Sequence, residues 1–377
     1  MKKEVPLFKI HWDQRDIERV NAVIRRGMHW ANGPEIMEFE KRIADYVGIE
    51  YAHAVNSGTS ALHALLVAHG VGQGDEVIVP SFTFIATANA PLFVGAKPVF
   101  AEIEEETYGL DPNDVERKIT PFTRAIMPIH YGGSPCRINE LINVARKHGL
   151  ILIEDAAESL GASAGSKRIG GFGDSAAFSF CAPKVTTTGE GGMVLTKSRD
   201  VFEKVKLTCN HGRAETTDYY SPVDSMQHIT LGYNYRMSTM TAALGLAQMD
   251  KLDDAIRLRR DNARYLTARL APIDQVVPPA APEDCFQVHQ MYTIRVKEGS
   301  DARDRLKQHL VDNGIGARIY YEPAHLSRFH RRTYGYRGGE LPVTERISGE
   351  VLTLPMYPDI RRDEMDYVAQ QISGFFS

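Results

Sequence analysis

Leu150-Ile151-Leu152-Ile153-Glu154-Asp155-Ala156-Ala157-Glu158 is the stretch on which the fold turns. Four aliphatic residues in a row, with no polar alternation, mark a strand covered on both faces, and such strands belong to parallel sheets layered by helices. The run then stops on acids. In an open parallel sheet ligands bind where loops leave the carboxyl ends of the strands. An acid emerging there is placed to pair with a protonated ring nitrogen of a bound heterocycle and keep it electron-withdrawing. Asp155 is the candidate, and Glu154 takes its place if the strand phase shifts by one residue.

Working outward, similar apolar runs bounded by turn residues occupy 76–79, 98–100, 125–129 and 176–180. An amphipathic stretch at 138–147, with Leu141, Val144 and Ala145 on one face and Gly149 beyond its end, reads as an intervening helix. This βα rhythm runs from residue 57 to about 200 and predicts a mostly parallel sheet covered on both faces. A helix is expected from Met240 to about Leu270, followed by a segment, 271–282, that carries four prolines. Strands at 291–296 and 351–354, a helix near 303–312 and a last helix from Arg362 then form a smaller α+β unit. With 377 residues, the chain is too long for a typical single core. The expected division is a large domain with an N-terminal arm over 1–250 and a smaller one over 251–377.

Two further stretches carry chemistry. In Phe178-Ser179-Phe180-Cys181-Ala182-Pro183-Lys184, a short strand ends just before a lysine, and glycines at 189, 191 and 192 allow backbone to approach a ligand closely. Lys184 is a candidate Schiff-base lysine, since a partly desolvated amine can be unprotonated and nucleophilic. Asn56-Ser57-Gly58-Thr59-Ser60-Ala61 leads into an apolar helix. Ser57 is a natural N-cap there, and free amides and hydroxyls at a helix start suit a phosphate.

Other patterns exclude functions. Gly161 to Lys167 falls one residue short of a Walker A loop, and Gly170-Gly171-Phe172-Gly173 lacks dinucleotide-binding spacing. Thirteen histidines show no ligand spacing such as HExxH, so no metal is expected. Interspersed charges, 44 basic and 48 acidic for a net of −4, give no footprint for nucleic acid. No apolar run approaches the roughly 18–20 residues of a membrane helix. Four cysteines without CxxC spacing, and a start at Met-Lys-Lys-Glu-Val-Pro with no secretory signal, point to a reducing cytoplasm.

Taken in order, Gly33-Pro34 with Phe39-Glu40, Asn56 to Leu62, Pro80-Ser81-Phe82-Thr83-Phe84, Glu154 to Glu158, Ser179-Phe180 with Lys184 and Gly189-Glu190-Gly191-Gly192, and Gly232-Tyr233-Asn234-Tyr235-Arg236-Met237 span nearly the whole chain. Together they make it resemble the DegT/DnrJ/EryC1/StrS family of sugar aminotransferases, closest in appearance to perosamine-synthase-type members. The resemblance implies an α/β fold of the pyridoxal-phosphate (PLP) transferase type I, a seven-stranded-type, mostly parallel sheet sandwiched by helices, with a smaller C-terminal α+β domain.

It also implies the cofactor, pyridoxal 5'-phosphate, and roles for individual residues. Lys184 would form the Schiff base and shuttle a proton as general base and acid. Asp155 would hold the ring nitrogen protonated, and Glu158, where many members carry glutamine, would sit by the ring's 3-hydroxyl. Phe84 would stack on the ring. Gly58, Thr59 and Ser179 would bind the phosphate, and Asn234 would reach the phosphate of the neighbouring subunit, making a homodimer with shared sites. His325, Tyr320 and Tyr321 would meet the sugar, with Trp30 at the substrate entrance.

The implied reaction moves an amino group from L-glutamate, with glutamine as the alternative donor, to a nucleotide-linked keto-deoxysugar, with C4 of a 4-keto-6-deoxyhexose as the expected site. Alternatives are a C3 sugar aminotransferase, an amino-acid aminotransferase of the same fold type, which calls for an arginine clamp that the sequence does not reveal, and a non-enzymatic regulator on the same scaffold. Some relatives carry histidine at the lysine position and act as dehydratases; this chain keeps Lys184. Its Cys181-Ala182-Pro183 departs from the bulky residue common after Ser-Phe, and Pro183 stiffens the approach. Cys181 reads as a packing residue.

Overall fold

In the computed structural model, which describes residues 4–214 and 227–377, the apolar runs assemble into one seven-stranded sheet. Its strands are β1 (Tyr51–Val55), β2 (Glu76–Pro80), β3 (Lys97–Ala101), β4 (Thr123–Ile126), β5 (Ile151–Asp155), β6 (Ser175–Ser179) and β7 (Gly192–Thr196). The spatial order is β1-β7-β6-β5-β4-β2-β3. From β6 to β3 every pairing is parallel, whereas β7 runs antiparallel to both its neighbours. The sheet is therefore mostly parallel and α/β in class. Two of its strands, β1 and β7, lie outside the runs picked from the sequence. Tyr51 and His53 interrupt the first, and glycines precede the second.

Helices cover both faces, and two apolar clusters pack on opposite sides. One gathers Phe39, Ile78, Ile126, Leu152, Phe178 and Met193, the other Leu62, Val77, Val79, Ile153, Ala177 and Val194. Adjacent residues of a strand serve different clusters, as the two-residue period of a strand requires. The predicted helix at 138–147 is present as Ile138–His148, closed by Gly149 at φ 65°.

The expected single helix from 240 to 270 is a correction. It is two helices, Thr239–Met249 and Leu252–Leu270. Between them Lys251 leaves helical geometry (φ −125°, ψ 9°). Its amine is drawn into a buried ion pair with Asp16 of α1 (Gln14–Arg26).

The second helix then crosses from the large unit to the smaller one. Leu252 and Ile256 pack in the first cluster, while Ala263, Leu266 and Leu270 belong to a third. That third core includes β9 (Tyr292–Val296), central between β8 (Val276–Val277) and β10 (Val351–Leu354), and the helices Ser300–Asp312 and Arg362–Phe376. The N-terminal arm joins it. Val5, fully buried, bridges to Ile315, and Leu7 accepts the Met356 amide.

Candidate active site

The carboxyl ends of β1, β5 and β6 open on a cavity of about 430 Å³. Lining it are Ser57, Gly58 and Thr59 after β1, Asp155, Ala157 and Glu158 at the end of β5, and Ser179 with Lys184 after β6. Phe84 and Ala86, in the loop after β2 and the start of α4 (Ile85–Phe93), form one wall. The arm and the smaller unit form another, through Leu7, Phe8, Arg318, Tyr320 and Tyr321.

Strand phase decides between the two acids. Asp155 lines the cavity. Glu154 points the other way and is fully buried, its carboxylate accepting the amides of Gly170 (2.9 Å), Phe172 (2.8 Å) and Gly173 (2.7 Å) and facing His130 Nε2 at 3.2 Å. Burial works against its ionisation, but His130 and the amides outweigh that and lower its pKa. The Gly170 to Gly173 turn thus has a job that no spacing rule revealed: it is an anion cradle for a side chain of the protein.

Asp155 has fewer partners. One carboxyl oxygen accepts the Thr87 hydroxyl at 2.6 Å, the other the Ala157 amide at 3.2 Å, and Thr83 is hydrogen-bonded to Thr87 at 2.7 Å. Burial pushes the Asp155 carboxyl above the usual range, with Glu158 adding to the effect while Thr87 and Lys184 oppose it. A buried acid in that state gains from a cationic partner, which is what a protonated ring nitrogen offers.

Lys184 closes a turn on the Cys181 carbonyl and reaches Glu158 Oε1 at 3.3 Å. Glu158 is held tightly, by the Gly132 amide at 2.8 Å and the Tyr321 hydroxyl at 2.6 Å. Gly132 offers that amide from φ 61°, a conformation that suits glycine. Burial and the Glu158 carboxylate raise the Tyr321 phenol well above its ordinary value, so it stays a donor.

At the other end of the cavity, Ser57 caps α3 (Gly58–Ala68) by accepting the Ser60 amide at 3.1 Å. The first amides of that helix have no partner within it. A side chain at Gly58 would put its Cβ 2.9 Å from Cβ of Ser179, so glycine here lets the helix start and the Ser179 hydroxyl approach one anion together. Paired with an acid for a ring nitrogen and a lysine amine, this set fits a phosphorylated heterocyclic aldehyde. Phe84, 56% exposed, presents its ring at this wall, 6.1 Å from that of Tyr321.

Three predicted residues do not join them. His325 is fully buried, with Nδ1 at 2.6 Å from the Ser81 hydroxyl and Nε2 at 3.2 Å from Glu345, and it does not line the cavity. Trp30 is 47% exposed and also lies outside it. Asn234 is exposed on this chain, with its carbonyl near the Asn56 amide. Among the described residues one group converges at metal-ligand spacing, His325, Glu340 and Glu345. Both carboxylates are already engaged by amides, of Gly339 and Leu341 on Glu345 and of Arg337 and Gly338 on Glu340.

Sequence reasoning missed Arg318, Thr87 and Gln290. Arg318 is the one cation besides Lys184 among the described residues lining the cavity. No local pattern marks it, because only the packing of the smaller unit against the sheet edge brings it there.

Fold and site together define an aminotransferase of the pyridoxal-phosphate-dependent class. Residues 11–373 match the DegT/DnrJ/EryC1/StrS aminotransferase family, and the chain belongs to that family. It is 39% identical to GDP-perosamine synthase of Caulobacter vibrioides over 89% of this chain and 88% of that one. It is 36% identical to a UDP-N-acetyl-3-dehydro-alpha-D-glucosamine 3-aminotransferase of Acidithiobacillus ferrooxidans, over 88% and 86%. The PLP form of a Streptococcus pneumoniae protein assigned as a sugar aminotransferase superposes with a TM-score of 0.93 at 25% identity, over 99% and 98% of the two chains.

Proposed function

We propose that this enzyme transfers an amino group from L-glutamate to the keto carbon of a nucleotide-linked keto-deoxysugar, at C4 of a 4-keto-6-deoxyhexose, with pyridoxal 5'-phosphate as cofactor. The observation that carries the reading is the meeting of Asp155, Lys184 and the start of α3 on one cavity. The sugar rests on the family and its named relatives. C4 is favoured by the 39% identity to a GDP-perosamine synthase, and the relative named a 3-aminotransferase, at 36%, keeps C3 as the second reading.

Pyridoxal phosphate, when bound, supplies an electron-withdrawing ring and the carbon that carries the amino group between donor and acceptor. Gly58, Thr59 and Ser179 hold its phosphate by amides and a hydroxyl. Asp155 keeps the proton on the ring nitrogen, and Glu158, fixed by Gly132 and Tyr321, faces the ring's hydroxyl. Lys184 Nζ would take the proton from the donor α-carbon as general base and, as general acid, pass it to the cofactor carbon that carries the amino group. Phe84 shields the ring from water. Arg318 meets the donor carboxylate with a guanidinium, the geometry best suited to that group.

A homodimer in the cytoplasm belongs to the same proposal. Phe8, Ile10, Trp12 and Ile17 leave an apolar strip on the arm and α1, 40–63% exposed, that a second subunit would cover, with Asn234 reaching the partner's phosphate site. Unpaired Cys136, Cys181, Cys209 and Cys285 suit a reducing compartment. Among the described residues no helix is long and apolar enough to cross a membrane.

Incubation with glutamate and a panel of nucleotide-linked keto sugars, read by mass, tests the reading. The expected outcome is an amino sugar from a 4-keto substrate. Amination of an ordinary keto acid with no sugar accepted would overturn it.

A further inference from the structure

Gln290 lines the cavity from the segment just before β9. Its side-chain nitrogen donates to the Pro183 carbonyl at 2.8 Å, next to Lys184 in the chain. A carbonyl only accepts, so the amide has one orientation: nitrogen toward Pro183 and oxygen away. That oxygen, Oε1, is buried and has no hydrogen-bond partner among the described residues, in a side chain of a residue only 7% exposed.

The backbone is not free to relieve it. Arg259 Nη1 donates to the carbonyls of His289 (3.2 Å), Gln290 (3.4 Å) and Met356 (3.0 Å), and the Met291 amide donates to Gly132 at 3.2 Å. His289, immediately before, is held at φ 49°. A buried acceptor left without a donor is a net cost to the fold. The unpartnered oxygen thus belongs to a cavity-lining residue whose nitrogen is bonded to the carbonyl preceding Lys184.

We propose that the donor arrives with the acceptor substrate: Gln290 Oε1 accepts a hydrogen bond from a non-reacting hydroxyl of the sugar, and Gln290 is a specificity-determining residue for the second half of the transfer. The inference rests on the sugar reading above, and the chemistry of the other ligands supports it. Glutamate brings one donor group, its amine, which is consumed in the reaction, and its carboxylates repel an amide oxygen. The cofactor's ring N–H and ring hydroxyl are met by Asp155 and Glu158. A sugar brings hydroxyls that survive the reaction.

The test uses Gln290→Leu and Gln290→Met, two apolar replacements that pack differently. Three measurements are made: melting of the cofactor-free protein, single-turnover absorbance changes for the glutamate and keto-sugar half-reactions, and the same with deoxy analogues of the sugar. Cofactor-free melting is expected to change little, because the orphaned oxygen and the bond to the Pro183 carbonyl are removed together. The sugar half-reaction should fall about tenfold more than the glutamate half-reaction, the worth of one neutral hydrogen bond. The variants should also lose the wild-type preference for the hydroxylated sugar over one deoxy analogue.

Equal losses in both half-reactions would overturn the inference, leaving Gln290 as a brace for Pro183. If wild-type protein aminates no keto sugar, the functional reading fails and takes this inference with it. If wild type is active and the variants keep its sugar preference, only the inference fails.

Discussion

Asp155 and Glu154 sit side by side in the chain and do opposite things. Glu154 is wrapped by three amides and His130, whereas Asp155 has a threonine hydroxyl and one amide and an acid for a neighbour. Because burial raises the Asp155 pKa, its proton is held more tightly in the folded than in the unfolded chain. That stabilisation is fully present below the unfolded value near 3.8 and is lost as pH rises through the folded value. Asp155→Asn is therefore expected to raise the melting temperature of the cofactor-free protein at pH 7, while lowering turnover by on the order of 10²-fold. A calorimetric scan with and without cofactor separates the two. Lys184→Ala is expected to abolish the visible cofactor band that borohydride bleaches in wild type; a variant spectrum identical to wild type would remove Lys184 from the chemistry. Residue identity was legible here, since an acid at a strand end and a lysine after Ser-Phe stand out in the sequence. Which of two adjacent acids faces the cavity was not, because a strand's phase is set by what packs on each face.

At the scale of elements, the apolar runs gave away five of the seven sheet strands. The other two are harder to read for a reason visible in their composition. In β1, His53 pairs with Glu40 of α2 (Pro34–Val47) at 3.0 Å, a partner thirteen residues back that no periodicity announces. The break at Lys251 was illegible for a related cause. Lys251 and Asp16 are both buried, at 3% and 5% exposure, and Gln248 also donates to Asp16 at 2.8 Å. Removing one partner leaves an uncompensated charge, so Lys251→Ala is expected to cost about 3–5 kcal/mol of stability by urea denaturation. Pairing Lys251→Met with Asp16→Leu should recover most of it. A double variant no more stable than the single would mean that the pair is not what holds α1 against helix Thr239–Met249.

For the whole molecule, most of the seven-stranded sheet could be read from the order of apolar runs, but the cavity's composition could not. Arg318 and Gln290 come from the C-terminal part of the chain and reach the sheet edge only through its packing. Asn234 belongs to a larger scale still. If it serves the partner's site, inactive Lys184→Ala and inactive Asn234→Ala proteins should regain activity on mixing. Hybrid dimers, about half of the population at random exchange of equal amounts and each holding one intact site, would bring the mixture to about a quarter of wild-type turnover. No recovery after subunit exchange is verified by mass would place each site within one chain.

The bridge between Val5 and Ile315 also bears on the order in which a ribosome delivers this fold. Gly58, Asp155, Ser179 and Lys184 emerge within the first half of synthesis, and their sheet can close around them once β7 is out. The arm has no such early partner. Val5 waits about three hundred residues for Ile315, the kind of separation that slows a contact, and Leu7 and Phe8 wait with it. The nascent enzyme thus completes the floor of its cavity well before its wall.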